Sequence, residues 1–140
     1  MKVLFICTGN TCRSPLAEAL ARSMYPGEEF ASAGLFVSSA QAASPGAAAV
    51  AAENGLSLDG RRARPVDEAM LREFDLALTM TAEHCRLLRG RFPVWAAKVA
   101  RLGDAAGMKR DVADPWGGGP EEYRACFGEL KKMLERMKWS

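Results

Sequence analysis

The chain holds one histidine, His84, and neither a CxxC pair nor an HExxH run. A structural or catalytic zinc site is therefore not expected. Charge of one sign is also missing, because 19 basic and 17 acidic side chains leave a net charge of +2. That balance gives no blanket attraction to nucleic acid or an anionic membrane, so any anion binding has to be local. The longest apolar runs fall well below the roughly 20 residues that a helix needs to cross a bilayer. No basic, cleavable leader pattern precedes the first strand pattern, so the four cysteines (Cys7, Cys12, Cys85 and Cys126) are expected as free thiols in a reducing cytoplasm.

At 140 residues, with no internal repeat, linker or low-complexity tract, the chain is expected to form a single domain over 1–140. "KVLFIC" (2–7) is a short apolar run rich in strand formers and reads as a buried strand of a parallel sheet. "RSPLAEALARSMY" (13–25) carries Leu16, Ala17, Leu20, Ala21 and Met24 at helical spacing, with Pro15 in its first turn. Further strands are predicted at 29–34, 74–80 and 97–102. Helices are predicted at 44–55, at 65–74, from the cap Thr81 to 92, and from Pro120 to the C-terminal end. The glycine-rich stretch 103–120 reads as loop. This alternation calls for an α/β fold: a four-stranded parallel sheet flanked by helices on both faces, with its site at the carboxyl ends of the strands.

"CTGNTCRS" lies at such an end. A loop joining a strand to a helix aims successive backbone N–H groups into one concavity, here those of Thr8, Gly9, Asn10, Thr11, Cys12 and Arg13. The helix dipole adds positive character. The nucleotide-binding GxxxxGK[ST] pattern is absent, since Ser14 and Pro15 stand where its second glycine and lysine would be. A thiol, Cys7, and a guanidinium, Arg13, occupy the two rims. Thiols facing N–H donors, a helix start and a cation favour the thiolate, and Ser14 offers a further hydrogen bond. Arg13 presents a planar fork for two phosphoryl oxygens. The pair describes attack by sulfur on a bound phosphoryl group. Such a reaction needs an acid for the leaving group and a base for water, and "DVADPWGGG" supplies Asp114, its backbone restricted by Pro115.

The chain resembles the low-molecular-weight protein tyrosine phosphatase family over essentially its whole length, through "CTGNTCRS" as a C-x5-R-S loop and "DVADP" as an Asp-Pro acid loop. The resemblance implies Cys7 as nucleophile, Arg13 as phosphate clamp and Asp114 as general acid and then base. It also implies Ser14 as thiolate support and Asn10 as the residue whose side chain holds the loop's strained turn. Thr11 stands where tyrosine-specific members commonly have a larger aliphatic residue, and "WGGG" replaces the tyrosine pair that often follows the Asp-Pro. In both respects the chain is similar to the bacterial protein-arginine phosphatases of the family. The implied function is hydrolysis of phosphoarginine on proteins through a phosphocysteine, releasing inorganic phosphate. No cofactor, metal, nucleic acid or membrane is implied, and the enzyme is expected as a cytoplasmic monomer. Thr11, Phe36 and Trp116 are the specificity residues in this reading, the two aromatics serving as walls for a guanidinium or a phenol.

Phosphotyrosine is the nearest alternative substrate. Arsenate reductase chemistry would need additional cysteines near the third strand's end, where the sequence has Met80 and an unaccompanied Cys85. A non-catalytic phosphate-binding module would have lost the nucleophile or the acid. Cys12 reads either as a packing residue or as a reversible disulfide partner that shields Cys7 from overoxidation. The remaining expectations are less pointed: His84 on a helix surface, Cys85 and Cys126 packed on helices, "GRRARP" (60–65) a solvated basic loop, and Met133 and Met137 in the core.

Overall fold

The apolar run at 2–7 is unbroken because it is covered on both sides. In the computed structural model, which describes residues 1–139, it forms β1 (Lys2–Cys7). Val3, Phe5 and Cys7 join one apolar cluster, and Leu4 and Ile6 join a second. Neighbouring side chains of a strand point to opposite faces, so a strand with helices above and below has no polar half. Both β2 (Glu29–Gly34) and β3 (Leu76–Thr79) pair with β1, and β4 (Val99–Arg101) pairs with β3. All pairings are parallel, in the order β2-β1-β3-β4.

The first cluster is closed by α1 (Arg13–Met24), α2 (Pro45–Glu53) and α6 (Pro120–Glu135), through Leu16, Leu20, Val50, Phe127, Leu130 and Leu134. Met133 lies fully in it and Met137 at its margin. The second is closed by α3 (Glu68–Glu73) and α4 (Ala82–Arg91), through Leu71 and Leu88. Each such buried side chain contributes about 1.5–3 kcal/mol. Helix starts follow the expected chemistry: Ser44, Asp67 and Thr81 accept from the backbone N–H groups of Ala47, Met70 and His84.

The chain leaves β1 through α1 to reach β2 on one side, then crosses to β3 on the other. The carboxyl end of β1 is thus the point where connections diverge, and a crevice opens there. Three expectations need correction. The third strand is Leu76–Thr79 rather than 74–80. The fourth shrinks from 97–102 to Val99–Arg101, because Pro93–Lys98 winds as a 3-10 helix. There Lys98 Nζ donates to the carbonyls of Leu71, Arg72 and Phe74 at the end of α3. The stretch 103–120 is not all loop either, since α5 (Leu102–Ala105) turns around the fully buried Leu102. Gly103 permits it, because a Cβ there would collide with the Arg110 carbonyl.

Candidate active site

Five residues, 8–12, separate the last residue of β1 from the first of α1, and the backbone turns sharply to fit them. Asn10 takes a left-handed conformation, φ 57°. That costs a side chain other than glycine roughly 1–2 kcal/mol, and asparagine least of all. Its buried amide holds the turn: Nδ2 donates to Ser14 Oγ (2.8 Å) and to Ser32 Oγ (3.0 Å), and Oδ1 accepts from the Arg64 N–H (3.1 Å). From behind, the Leu35 and Phe36 N–H groups donate to the carbonyls of Cys7 and Thr8. Gly34 makes that approach possible, since a Cβ there would sit 2.8 Å from the Thr8 carbonyl oxygen.

Cys7 Sγ lies 2.9 Å from Ser14 Oγ at the start of α1. Because that hydroxyl already accepts from Asn10, its proton is left to point at the sulfur. The Arg13 side chain is nearly enclosed. Nη1 donates to the Val112 carbonyl (3.0 Å) and Nη2 to Thr8 Oγ1 (3.4 Å), and Nη2 also faces Asp114 Oδ2 at 3.6 Å. Asp114 is itself half exposed, and its Oδ1 accepts from the Trp116 N–H (3.0 Å). Cys7, Thr8, Gly9, Thr11, Cys12, Arg13, Asp114 and Trp116 line one pocket of about 230 Å³. A nucleophile, a cation, N–H donors and a carboxylate in a space of that size can take a tetrahedral phosphoryl group with a slender stem.

Ten of the residues singled out from the sequence therefore meet at one place, eight on the pocket wall and Asn10 and Ser14 beneath it. Phe36 does not. Its ring is exposed and lies under the Arg91 guanidinium, 5.3 Å from the ring centre, rather than on the pocket wall. Cys12 packs against Ser44 Oγ (3.1 Å) and Tyr123 Oη (3.6 Å) while bordering the same pocket as Cys7, and both thiols are free. Burial pushes the Cys126 thiol up to about 12, so it stays protonated, and Cys85 is half-buried against the second cluster.

His84 is not a surface residue. It is buried, with Nε2 2.8 Å from Thr8 Oγ1. Burial, and then the nearby Arg13, push its pKa down to about 4, so the ring is neutral at pH 7. As the Thr8 hydroxyl accepts from Arg13, its proton is available to His84. The legible signal was position, a lone histidine one turn past the carboxyl end of the strand beside β1. Ser32 and Glu18 were also missed. Ser32 is a buried polar residue within the apolar run of β2, and Glu18 a buried charged residue on the inward face of α1. "GRRARP" departs from a plain solvated loop, because Ala63 is buried, Gly34 and Pro65 form a parallel bridge, and Arg61 pairs with Glu18. Among the described residues no three His, Cys, Asp or Glu side chains converge as a metal site, and no helix is long and apolar enough to cross a membrane.

Residues 2–139 match the family described as low molecular weight phosphotyrosine protein phosphatase. A protein-arginine-phosphatase of Bacillus subtilis is 35% identical, over 98% of this chain and 94% of that protein. The low molecular weight protein-tyrosine-phosphatase Wzb of Salmonella typhi is 37% identical, over 96% of this chain and 87% of that one. Among solved structures, the YwlE arginine phosphatase from Geobacillus stearothermophilus superposes with a TM-score of 0.90 at 37% identity, covering 96% of this chain and 88% of that chain.

Proposed function

The chain belongs to the low molecular weight phosphotyrosine protein phosphatase family, and from that premise we propose that it hydrolyses phosphoarginine on proteins through a phosphocysteine at Cys7. The observation that carries this reading is the convergence of Cys7, Ser14, Arg13 and Asp114 around one small pocket. The Cys7 thiolate attacks phosphorus, an S–P bond forms, and the P–N bond to the guanidine breaks. Asp114, entering as the carboxylic acid, gives its proton to the departing nitrogen. The resulting carboxylate then takes a proton from water as that water attacks phosphorus. The S–P bond breaks, and inorganic phosphate and the thiolate are released. Arg13 and the loop N–H groups hold the phosphoryl oxygens throughout, which supplies the positive charge that a metal would otherwise bring.

Two observations favour the guanidine leaving group: Thr11 on the pocket wall, where a hydroxyl adds polarity in place of a larger aliphatic side chain, and the similarity to a protein-arginine-phosphatase. Phosphotyrosine is the second reading, favoured by Trp116 as an aromatic wall and by the similarity to Wzb. In our reading the enzyme works as a cytoplasmic monomer on phosphorylated proteins. The deciding measurement is kcat/KM on a phosphoarginine peptide and a phosphotyrosine peptide for wild type, Cys7→Ser and Thr11→Ile. Wild type is expected to prefer phosphoarginine, Thr11→Ile to shift the ratio toward phosphotyrosine, and Cys7→Ser to release no phosphate. Equal or better phosphotyrosine turnover by wild type, unmoved by Thr11→Ile, overturns the arginine assignment. Phosphate release by Cys7→Ser overturns the mechanism.

A further inference from the structure

A cavity of about 570 Å³, larger than the pocket of about 230 Å³ that holds Cys7, opens elsewhere on the protein. It lies between α1, β2 and the segment 56–64, and four guanidinium groups line it: Arg22, Arg61, Arg62 and Arg64. Only two carboxylates, Glu18 and Asp59, oppose them there. Glu18 is buried at 3% exposure and is shared by two of the cations. Arg61 Nη1 donates to its Oε1 (2.6 Å), and Arg22 Nη2 reaches Oε2 (3.0 Å). Arg64 spends Nε on the Ser32 carbonyl, and Arg62 is exposed with no ion pair among the described residues. The cavity thus carries uncompensated positive charge in a concave space, with planar forks suited to phosphoryl oxygens.

The floor of this cavity is also the back of the Cys7 loop. Ser32 Oγ donates to Glu18 Oε1 (2.8 Å) and accepts from Asn10 Nδ2, the same amide that donates to Ser14 Oγ, 2.9 Å from Cys7 Sγ. The Arg64 N–H holds the other end of the Asn10 amide. We propose that this arginine-lined cavity is a second anion site, that it takes a small molecule bearing two or more phosphoryl groups, and that its occupancy is coupled to the Cys7 loop through Glu18, Ser32 and Asn10. An anion that draws Arg61 and Arg22 toward itself loosens their hold on Glu18. The Glu18–Ser32–Asn10 hydrogen bonds readjust, and the loop geometry with them. Coupling of this kind is reciprocal, so phosphate at Cys7 alters affinity in the cavity by the same factor. Anion binding stands apart from the phosphatase reading, while the effect on turnover rests on it.

The test uses inorganic tripolyphosphate as probe. Calorimetric titration is made into protein whose Cys7 pocket is saturated with orthovanadate, for wild type and Arg62→Glu, and initial rates on para-nitrophenyl phosphate are measured with and without the probe. One binding event in vanadate-loaded wild type is expected, weakened at least tenfold in Arg62→Glu. A change in kcat that appears in wild type and is lost in the variant is expected as well, each protein being compared with its own probe-free rate. No binding to the vanadate-loaded protein, or equal binding by both proteins, overturns the site. Purely competitive inhibition of equal strength in both overturns the coupling. Should the chain show no phosphatase activity, the calorimetry still decides the site.

Discussion

The two halves of the candidate site are built differently. The Cys7–Arg13 loop is anchored from behind: Asn10, Arg13 and Ser14 are at most 4% exposed, and the turn is tied to α1, β2 and the segment after β2 by at least five hydrogen bonds. The stretch around Asp114 is open. Its carboxylate has one hydrogen bond, from the Trp116 N–H, and an ion pair to Arg13, and Trp116 is 76% exposed. A rigid cradle suits a group that must meet a charged transition state without reorganising, and a loosely held acid suits one that must admit substrate and release product. Stability and turnover should therefore respond separately to changes in the two halves.

The sharpest separation is expected from Asp114→Asn. As the proposed acid and base, its loss should lower kcat by about 10²–10⁴-fold, while urea unfolding at pH 7 shifts by less than about 0.5 kcal/mol, since Asp114 is half exposed and the enclosed Arg13 keeps its hydrogen bonds to Val112 and Thr8. A stability loss as large as the loss in activation free energy would break the contrast. Asn10→Ala should act on both quantities. Three hydrogen bonds vanish, two of them buried, and an alanine is left in a left-handed conformation, for a loss of roughly 3–4 kcal/mol in denaturant unfolding. An unchanged midpoint would mean that the loop holds itself without the Asn10 amide.

Acid sensitivity separates the halves further through His84. The unfolded chain takes up a proton at the ordinary histidine pKa of 6.5, whereas the folded ring waits until about 4. Between those values the unfolded state binds more protons, so stability is full above pH 6.5 and declines as pH falls, by about 3 kcal/mol at pH 4. Asp111, Asp114 and Glu83 nearby work against this shift, and Arg13 works with it. His84→Gln, which keeps a partner for Thr8, should flatten that part of the pH–stability curve. The same slope in wild type and variant would locate the acid sensitivity elsewhere. The smallest effect is expected from Trp116→Ala, a three- to tenfold rise in KM for a protein substrate, about 1 kcal/mol, with kcat and unfolding little changed.

The loop was legible because everything it needs is consecutive: a strand end, a helix start and the residues between them lie within "FICTGNTCRSP". Asp114 was legible by its Asp-Pro pairing, although more than a hundred residues separate it from Cys7. His84, Glu18 and Ser32 were not. Each is an ordinary residue of its own element and acquires a role only when the sheet order sets β2 and β3 on either side of β1. Phe36 was misplaced for the same reason: its N–H donates to the Thr8 carbonyl beside the loop, but the distant Arg91 covers its ring and holds it off the pocket wall.

By itself, then, the sequence determined the alternation of strands and helices, the strand-to-helix loop and the residues at its rims, because hydrophobic period, capping and loop chemistry are local properties of the chain. Only the tertiary structure decided which distant side chains stand behind that loop. Burial, the sharing of one Asn10 amide between Ser14 and Ser32, and the gathering of arginines over Glu18 depend on which elements the fold makes neighbours.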